Sequence, residues 1–274
     1  MNEASPPLID GNAADALIEP LTELVIRAGE AILAVDRSAM KVEGKSDGSP
    51  VTEADLAADR IIAAGLARLA PNVPSLSEER TRRAKPPYRG SFFLVDPLDG
   101  TKEFVAGRNE FTVNLALVTE GTPLLGIVGA PALGVIWRGI VGRGAERLII
   151  ADGASPVVEQ IRTRPHPPRE EPWTVAVSRS HGDPRTEAFI AERGGAVRAE
   201  LGSAVKFGWV AEGKVDIYPR LAPTSEWDVA AGHAVVTAAG GKITDSQGAA
   251  LRFGLRDDFI VPEFIAWGDP AAAP

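Results

Sequence analysis

Asp96 and Asp99 lie in Leu94-Val95-Asp96-Pro97-Leu98-Asp99-Gly100-Thr101, directly after the apolar pair Phe92-Phe93. Four apolar residues (92–95) ahead of an aspartate and a proline read as a buried strand. Pro97 cannot continue a strand ladder, and Gly100 permits a turn with positive φ. Asp96 is therefore expected to leave the strand end and Asp99 to follow one turn later, with both carboxylates facing one pocket. Carboxylates so close repel each other unless something cationic sits between them. A hard divalent cation with oxygen ligands meets that need. An ordinary Asp-Gly turn accounts for Asp99-Gly100 but not for the whole octet.

Other acidic residues stand at expected element ends. Glu78 closes the short extended piece Ser75-Leu76-Ser77, and Asp228 opens an apolar helix. Taken singly, Glu78 fits a solvated surface residue and Asp228 a carboxylate compensating a helix dipole. Asp55, three residues after Thr52, fits the acidic arm of a capping box. Together they sit where a rigid scaffold presents binding groups to a cleft.

The elements that must position these groups follow from periodicity. The first dozen residues read as frayed. Leu17, Leu21, Leu24, Ala28, Ile32 and Val35 then recur at helical spacing, with Pro20 in the first turn or at the true start. A polar loop over 45–50 leads to a second helix marked by Ala58, Ile62, Leu66 and Leu69 and ended by Pro71 and Pro74. Residues 80–89 read as a mobile surface loop. Strands are expected over 111–118, 124–128, 135–141 and 148–150, and the proline-rich stretch 151–172 as a connection. The second half alternates strands (174–177, 196–199, 215–218) with helices (183–192, 203–212, 228–239), the last stopped by Gly240 and Gly241. This pattern predicts a frayed N-terminus over 1–14, an α+β lobe over 15–155 and an α/β lobe over 156–274.

Composition bounds the function. With 274 residues, 45% hydrophobic and 24% charged, the chain can bury a large core. A net charge of −8 argues against binding a nucleic-acid polymer, and a phosphorylated substrate would need local positive charge. The absence of cysteine excludes disulfides, thiolate zinc sites and cysteine nucleophiles. No run of about 18 apolar residues and no leader-like N-terminus is found, so no membrane span is expected and the cytoplasm is the default compartment.

The motifs fall together in a known pattern. Val51-Thr52-Glu53-Ala54-Asp55, Ser77-Glu78-Glu79, Asp96-Pro97-Leu98-Asp99-Gly100-Thr101, and Trp227-Asp228-Val229-Ala230-Ala231-Gly232 with Gly240-Gly241 resemble, in order and spacing, the lithium-sensitive, magnesium-dependent phosphomonoesterases that include inositol monophosphatases and fructose-1,6-bisphosphatases. The resemblance runs from about Leu17 onward. Thr101-Lys102-Glu103-Phe104, Ser178-Arg179-Ser180-His181, Gly202-Ser203-Ala204-Val205-Lys206-Phe207, Tyr218-Pro219-Arg220 and Glu226-Trp227-Asp228 resemble the 3'(2'),5'-bisphosphate nucleotidase branch of the CysQ type. One departure is Leu94-Val95, where inositol monophosphatases often carry Trp-Xaa.

The resemblance implies a two-lobed, layered αβαβα sandwich of mixed α+β and α/β character. It implies two to three Mg²⁺ ions held by Glu78, Asp96, Asp99, Asp228 and the Leu98 carbonyl, with Asp55 and Thr101 activating water. It implies substrate contacts from Gly100, Thr101, Ser178, His181, Gly202, Ser203, Lys206 and Asp228. The remote phosphate is expected on the Lys206 ammonium and the amides at the start of its helix. The implied reaction is hydrolysis of adenosine 3',5'-bisphosphate, a by-product of sulfur assimilation, to AMP and phosphate. The rival readings are an inositol-1-monophosphatase-type sugar or polyol phosphatase and a metal- or nucleotide-binding regulatory protein without turnover. A homodimer and peripheral attachment to the inner membrane both stay open.

Overall fold

The computed structural model describes residues 7–40, 42–44, 50–83, 86–151, 153–179, 182–194 and 196–274. The first helix, α1 (Gly11–Leu33), starts within the stretch expected to be frayed, because Asp10 caps it by accepting from the Ala13 amide at 2.9 Å. Pro20 sits inside α1 rather than at its start. The carbonyl it leaves unpaired belongs to Ala16, which is exposed, so the lost helix bond opens to solvent. Two short strands, β1 (Val42–Gly44) and β2 (Pro50–Thr52), pair antiparallel and lead into α2 (Glu53–Leu69).

Next come β3 (Ser75–Ser77), a 3-10 turn (Glu78–Arg83) in place of the start of the expected loop, and β4 (Ser91–Asp99). After the short helix α3 (Thr101–Val105) follow β5 (Thr112–Thr119), β6 (Thr122–Ala130), β7 (Val135–Ile140), β8 (Gly144–Ile149) and β9 (Val157–Ile161). Strands β3 to β9 form one seven-stranded sheet in sequence order, antiparallel except for β3 beside β4. β9 corrects the reading of 151–172 as pure connection. Its prolines flank the strand rather than interrupt it.

The second sheet takes β10 (Thr174–Ser178), then α4 (Pro184–Ala191), β11 (Val197–Leu201), α5 (Val205–Ala211) and β12 (Ile217–Arg220). β12 starts two residues later than expected and carries Arg220 at its end. A small pair, β13 (Thr224–Ser225) with β15 (Ile260–Val261), brackets α6 (Glu226–Ala238) and β14 (Lys242–Thr244). β16 (Phe264–Trp267) completes the five-stranded order β11-β10-β12-β16-β14. The strands after Gly241 were not anticipated from sequence, although Phe264-Ile265-Ala266-Trp267 is an apolar run. Among the described residues no helix is long and apolar enough to cross a membrane.

The layers stack as α1 and α2, the seven-stranded sheet, α5 and α6, the five-stranded sheet, and α4. β4 shows why. Phe93 and Val95 join the core under α1 and α2, while Phe92 and Leu94 join the core shared with α5 and α6. A strand buried on both faces needs apolar residues at every position, which is how 92–95 read. α6 lies between two sheets and, beyond its acidic first turn, is apolar on all sides except at His233 and Thr237, with small residues that let it approach. A Cβ on Gly126 of β6 would come within 2.1 Å of the Ala231 carbonyl, and one on Gly232 within 2.2 Å of the Phe207 ring. The layered αβαβα sandwich expected from the resemblance is the fold.

Candidate active site

Strand parity aims Asp96 at the middle layer. Phe92, Leu94 and Asp96 share one face of β4, the face toward α6, whose first turn carries Asp228. β4 does not stop at Asp96 as expected. It runs to Asp99 with a register irregularity between the two aspartates, Asp96 opposite Asn114 and Asp99 opposite Thr112. Pro97 falls inside that irregularity, where the ladder is already broken, so its missing N–H breaks no regular ladder bond. Glu78 follows β3, whose Ser77 pairs in register with Val95, so it emerges beside Asp96.

Glu78, Asp96, Leu98, Asp99, Gly100, Thr101, Ser178, Gly202, Ser203, Lys206 and Asp228, eleven of the residues expected at the site, line one cleft of about 260 Å³. Asp55 reaches it through Thr101, whose hydroxyl donates to Asp55 Oδ1 at 3.0 Å and lies 3.2 Å from the Leu98 carbonyl oxygen. Asp55 Oδ2 accepts from the Thr52 amide at 2.8 Å and its hydroxyl at 2.7 Å, closing the capping box of α2. The cap and the bond to Thr101 thus fall on different oxygens of one carboxylate. Asp228 closes a second capping box, accepting from the Ser225 amide at 3.2 Å and from the Thr224 hydroxyl. His181 lies outside the described residues.

Burial holds the Asp96 carboxyl well above the usual carboxylate range, reinforced by the charges of Glu78, Asp99, Asp228 and Asp55. Burial raises Asp99 too, opposed by the Lys206 ammonium. Asp228 is pushed up to about 7 by burial and then by the charge of Asp99. Among the described residues no three acidic or imidazole side chains are drawn together in an arrangement ready to hold an ion. Even so, buried carboxylates that disfavour one another's charge are a donor set that a divalent cation relieves. With only oxygen donors, Glu78, Asp96, Asp99, Asp228 and the Leu98 carbonyl fit magnesium better than zinc or copper.

The loop 201–204 is fastened to the residues around the end of β4 and the start of β5. Ser203 Oγ donates within 3.0 Å of the Asp99 and Glu110 carbonyls. Glu110 accepts from the Gly202 amide at 2.7 Å and pairs with Arg179 at 2.7 Å. Gly100 is required here: its φ is +92°, and a Cβ would come within 2.1 Å of Ser203 Oγ.

Lys206 lines the cleft and is tied into its own loop. It is buried, and its ammonium donates to the Ser203 carbonyl at 2.7 Å and the Leu201 carbonyl at 3.1 Å. Burial lowers its pKa to about 8, with the Asp99 charge opposing. The ammonium thus spends two of its three N–H donors on bracing the loop. The Ala204 amide, which precedes α5, acts with the Lys206 charge to hold the Asp99 pKa down against burial. Sequence reasoning missed two features. Arg220, at the end of β12, lines the cleft, and its Nε is buried without a hydrogen-bond partner. Thr112 and Asn114, at 3.3 and 3.4 Å from Asp99 Oδ2, are polar residues at alternate positions ahead of the apolar run 115–118, a signal that could have found them.

Relatives carry the same architecture. The 3'(2'),5'-bisphosphate nucleotidase CysQ of Escherichia coli K12 is 40% identical over 256 residues, spanning 90% of this chain and 98% of that protein. The CysQ of Buchnera aphidicola is 33% identical over 263 residues, 91% and 93% of the two chains. The crystal structure of CysQ from Bacteroides thetaiotaomicron superposes with a TM-score of 0.76 at 32% identity, covering 92% of this chain and 97% of that one. An inositol monophosphatase from Zymomonas mobilis superposes with a TM-score of 0.74 at 26% identity, covering 94% of each. With the inositol monophosphatase family model matching residues 13–273 as well, the chain belongs to that family.

Proposed function

We propose that the chain is a magnesium-dependent phosphomonoesterase that hydrolyses adenosine 3',5'-bisphosphate to AMP and phosphate. The observation that carries the reading is the Thr101–Asp55 hydrogen bond at the edge of a cleft holding Glu78, Asp96, Asp99 and Asp228. The 40% identity to CysQ of Escherichia coli, over nearly the whole of both chains, supports the nucleotide as substrate.

Glu78, Asp96, Asp99, Asp228 and the Leu98 carbonyl would hold the magnesium. Bound there, magnesium supplies Lewis acidity, lowering the pKa of water and offsetting charge on the phosphoryl oxygens. Asp55 Oδ1 takes the Thr101 proton in a hydrogen bond, leaving the hydroxyl lone pairs to accept from the attacking water and orient it. Asn114 and Thr112 steady Asp99, and Thr224 steadies Asp228. Of the cations lining the cleft, Arg220 has a buried Nε without a partner, so we assign it the phosphate that is not cleaved. Phosphate release from adenosine 3',5'-bisphosphate and from inositol 1-phosphate, with and without magnesium, tests the reading against its enzyme rival.

A further inference from the structure

α2 carries a second buried carboxylate that the proposed reaction does not use. Asp59 lies one turn beyond Asp55, on the same helix face. Its Oδ1 accepts the Ser77 hydroxyl at 2.6 Å, and Arg80 Nε lies 3.1 Å from each carboxylate oxygen. Ser77 is fully buried at the end of β3, and Arg80 sits in the 3-10 turn that follows. Asp59 therefore grips the chain one residue before Glu78 and two residues after it. A buried carboxylate is costly unless paired, and a packing role alone would be better served by an apolar residue. The two contacts converge on the backbone that sets where Glu78 points. The same helix thus reaches Thr101 through Asp55 and brackets Glu78 through Asp59.

We propose that Asp59 is a positioning residue for Glu78, fixing the backbone on both sides of it so that its carboxylate meets the ion held by Asp96. The proposal rests on the reading of Glu78 as a metal ligand.

The test is a titration of Mn²⁺ into metal-free protein, with free Mn²⁺ followed by its electron paramagnetic resonance signal and Tm measured alongside. Glu78→Gln should weaken Mn²⁺ binding. Asp59→Ala should weaken it by about 10-fold, the size of effect expected from a group that orients a ligand. Asp59→Asn, which keeps an acceptor for the Ser77 hydroxyl, should recover most of that loss. Turnover at saturating metal should stay within about threefold of wild type in both Asp59 variants, as for a group whose effect runs through metal affinity. Should Asp59→Ala fail to fold, Ser77→Ala carries the same expectation of weaker binding. Wild-type Mn²⁺ affinity in Asp59→Ala, or in Ser77→Ala standing in for it, overturns the proposal even if Tm falls. Unchanged binding in Glu78→Gln overturns the proposal together with the metal reading, so the two failures are told apart.

Discussion

Asp55 and Thr101 are joined at 3.0 Å between α2 and the start of α3, and the bond uses the one oxygen of Asp55 that the cap of α2 leaves available. One side chain thus ties the start of a helix to the end of the aspartate strand. Separating these duties is the first prediction. Thr101→Ala should lower kcat by at least about 10²-fold with little change in Tm, the loss expected when a general-base link is cut. Asp55→Ala should lower kcat similarly and also remove about 1 kcal/mol of capping stability, lowering Tm by a few degrees. A Thr101→Ala enzyme with near-normal kcat would show that the bond is structural only.

Removing charge from the cluster should be felt in binding and in turnover. Asp99→Asn keeps the shape of the side chain, so the fold should persist while activity in magnesium drops by about 10²-fold or more. Metal-free wild type should gain Tm on adding Mg²⁺, and a concentration of 100 Kd corresponds to about 2.7 kcal/mol. Calorimetric scans of both proteins with and without Mg²⁺ check this. An equal Tm gain in Asp99→Asn would remove that residue from the ligand set.

The family resemblance also implies inhibition by lithium. Millimolar Li⁺ should lower steady-state hydrolysis in the presence of Mg²⁺, and an unchanged rate would count against the ion site proposed here.

Lys206 and Arg220 should behave differently. Lys206 braces Leu201 and Ser203, so Lys206→Ala should reduce kcat/KM on a bisphosphate and on a nucleoside 3'-monophosphate alike. Arg220→Ala should cost about 10- to 100-fold more on the bisphosphate, because a charge-assisted phosphate contact contributes roughly 1.5–3 kcal/mol. Kinetics of both variants on both substrates decide it. A selective loss in Lys206→Ala would reverse the assignment.

His233, inside α6, offers a pH signature away from the cleft. Burial against Phe253 lowers its pKa to about 4 from an ordinary 6.5. Between those values the unfolded chain binds more protons, so stability falls as pH drops from about 6.5 toward 4, by up to about 3 kcal/mol from this group. The raised carboxyls of Glu226 and Asp228, each at about 7, act with the opposite sign over the same range. The comparison is therefore wild type against His233→Gln: the variant should lose less stability in denaturant melts between pH 6.5 and 4.5. Parallel profiles would contradict the assignment.

The legible parts of the sequence were those where a local pattern has one physical solution. The apolar run 92–95 with its aspartates gave the strand that carries Asp96 and Asp99, and Thr52 with Asp55 gave a cap that exists. What the pattern could not carry was direction. Lys206 reads the same whether its flexible stem reaches outward or folds back onto Leu201 and Ser203, and only the surrounding burial decides. Arg220 was visible in Tyr218-Pro219-Arg220, but with the strand ended at Tyr218 it lay outside the element that brings it to the cleft. Pro20 was misplaced because its missing N–H matters less where the orphaned Ala16 carbonyl meets solvent. β9 was hidden by the prolines on either side of it.

The central claim is that this cleft cleaves a bisphosphorylated nucleoside with magnesium. The direct measurement is kcat/KM for adenosine 3',5'-bisphosphate and inositol 1-phosphate on the same preparation, with Mg²⁺ and after its removal by chelation. The account predicts magnesium-dependent release of one phosphate from the nucleotide, with AMP as the other product, and a kcat/KM at least about 10-fold above that for inositol 1-phosphate, the size of one charge-assisted phosphate contact. Preference for inositol 1-phosphate, or phosphate release unchanged by chelation, would contradict it.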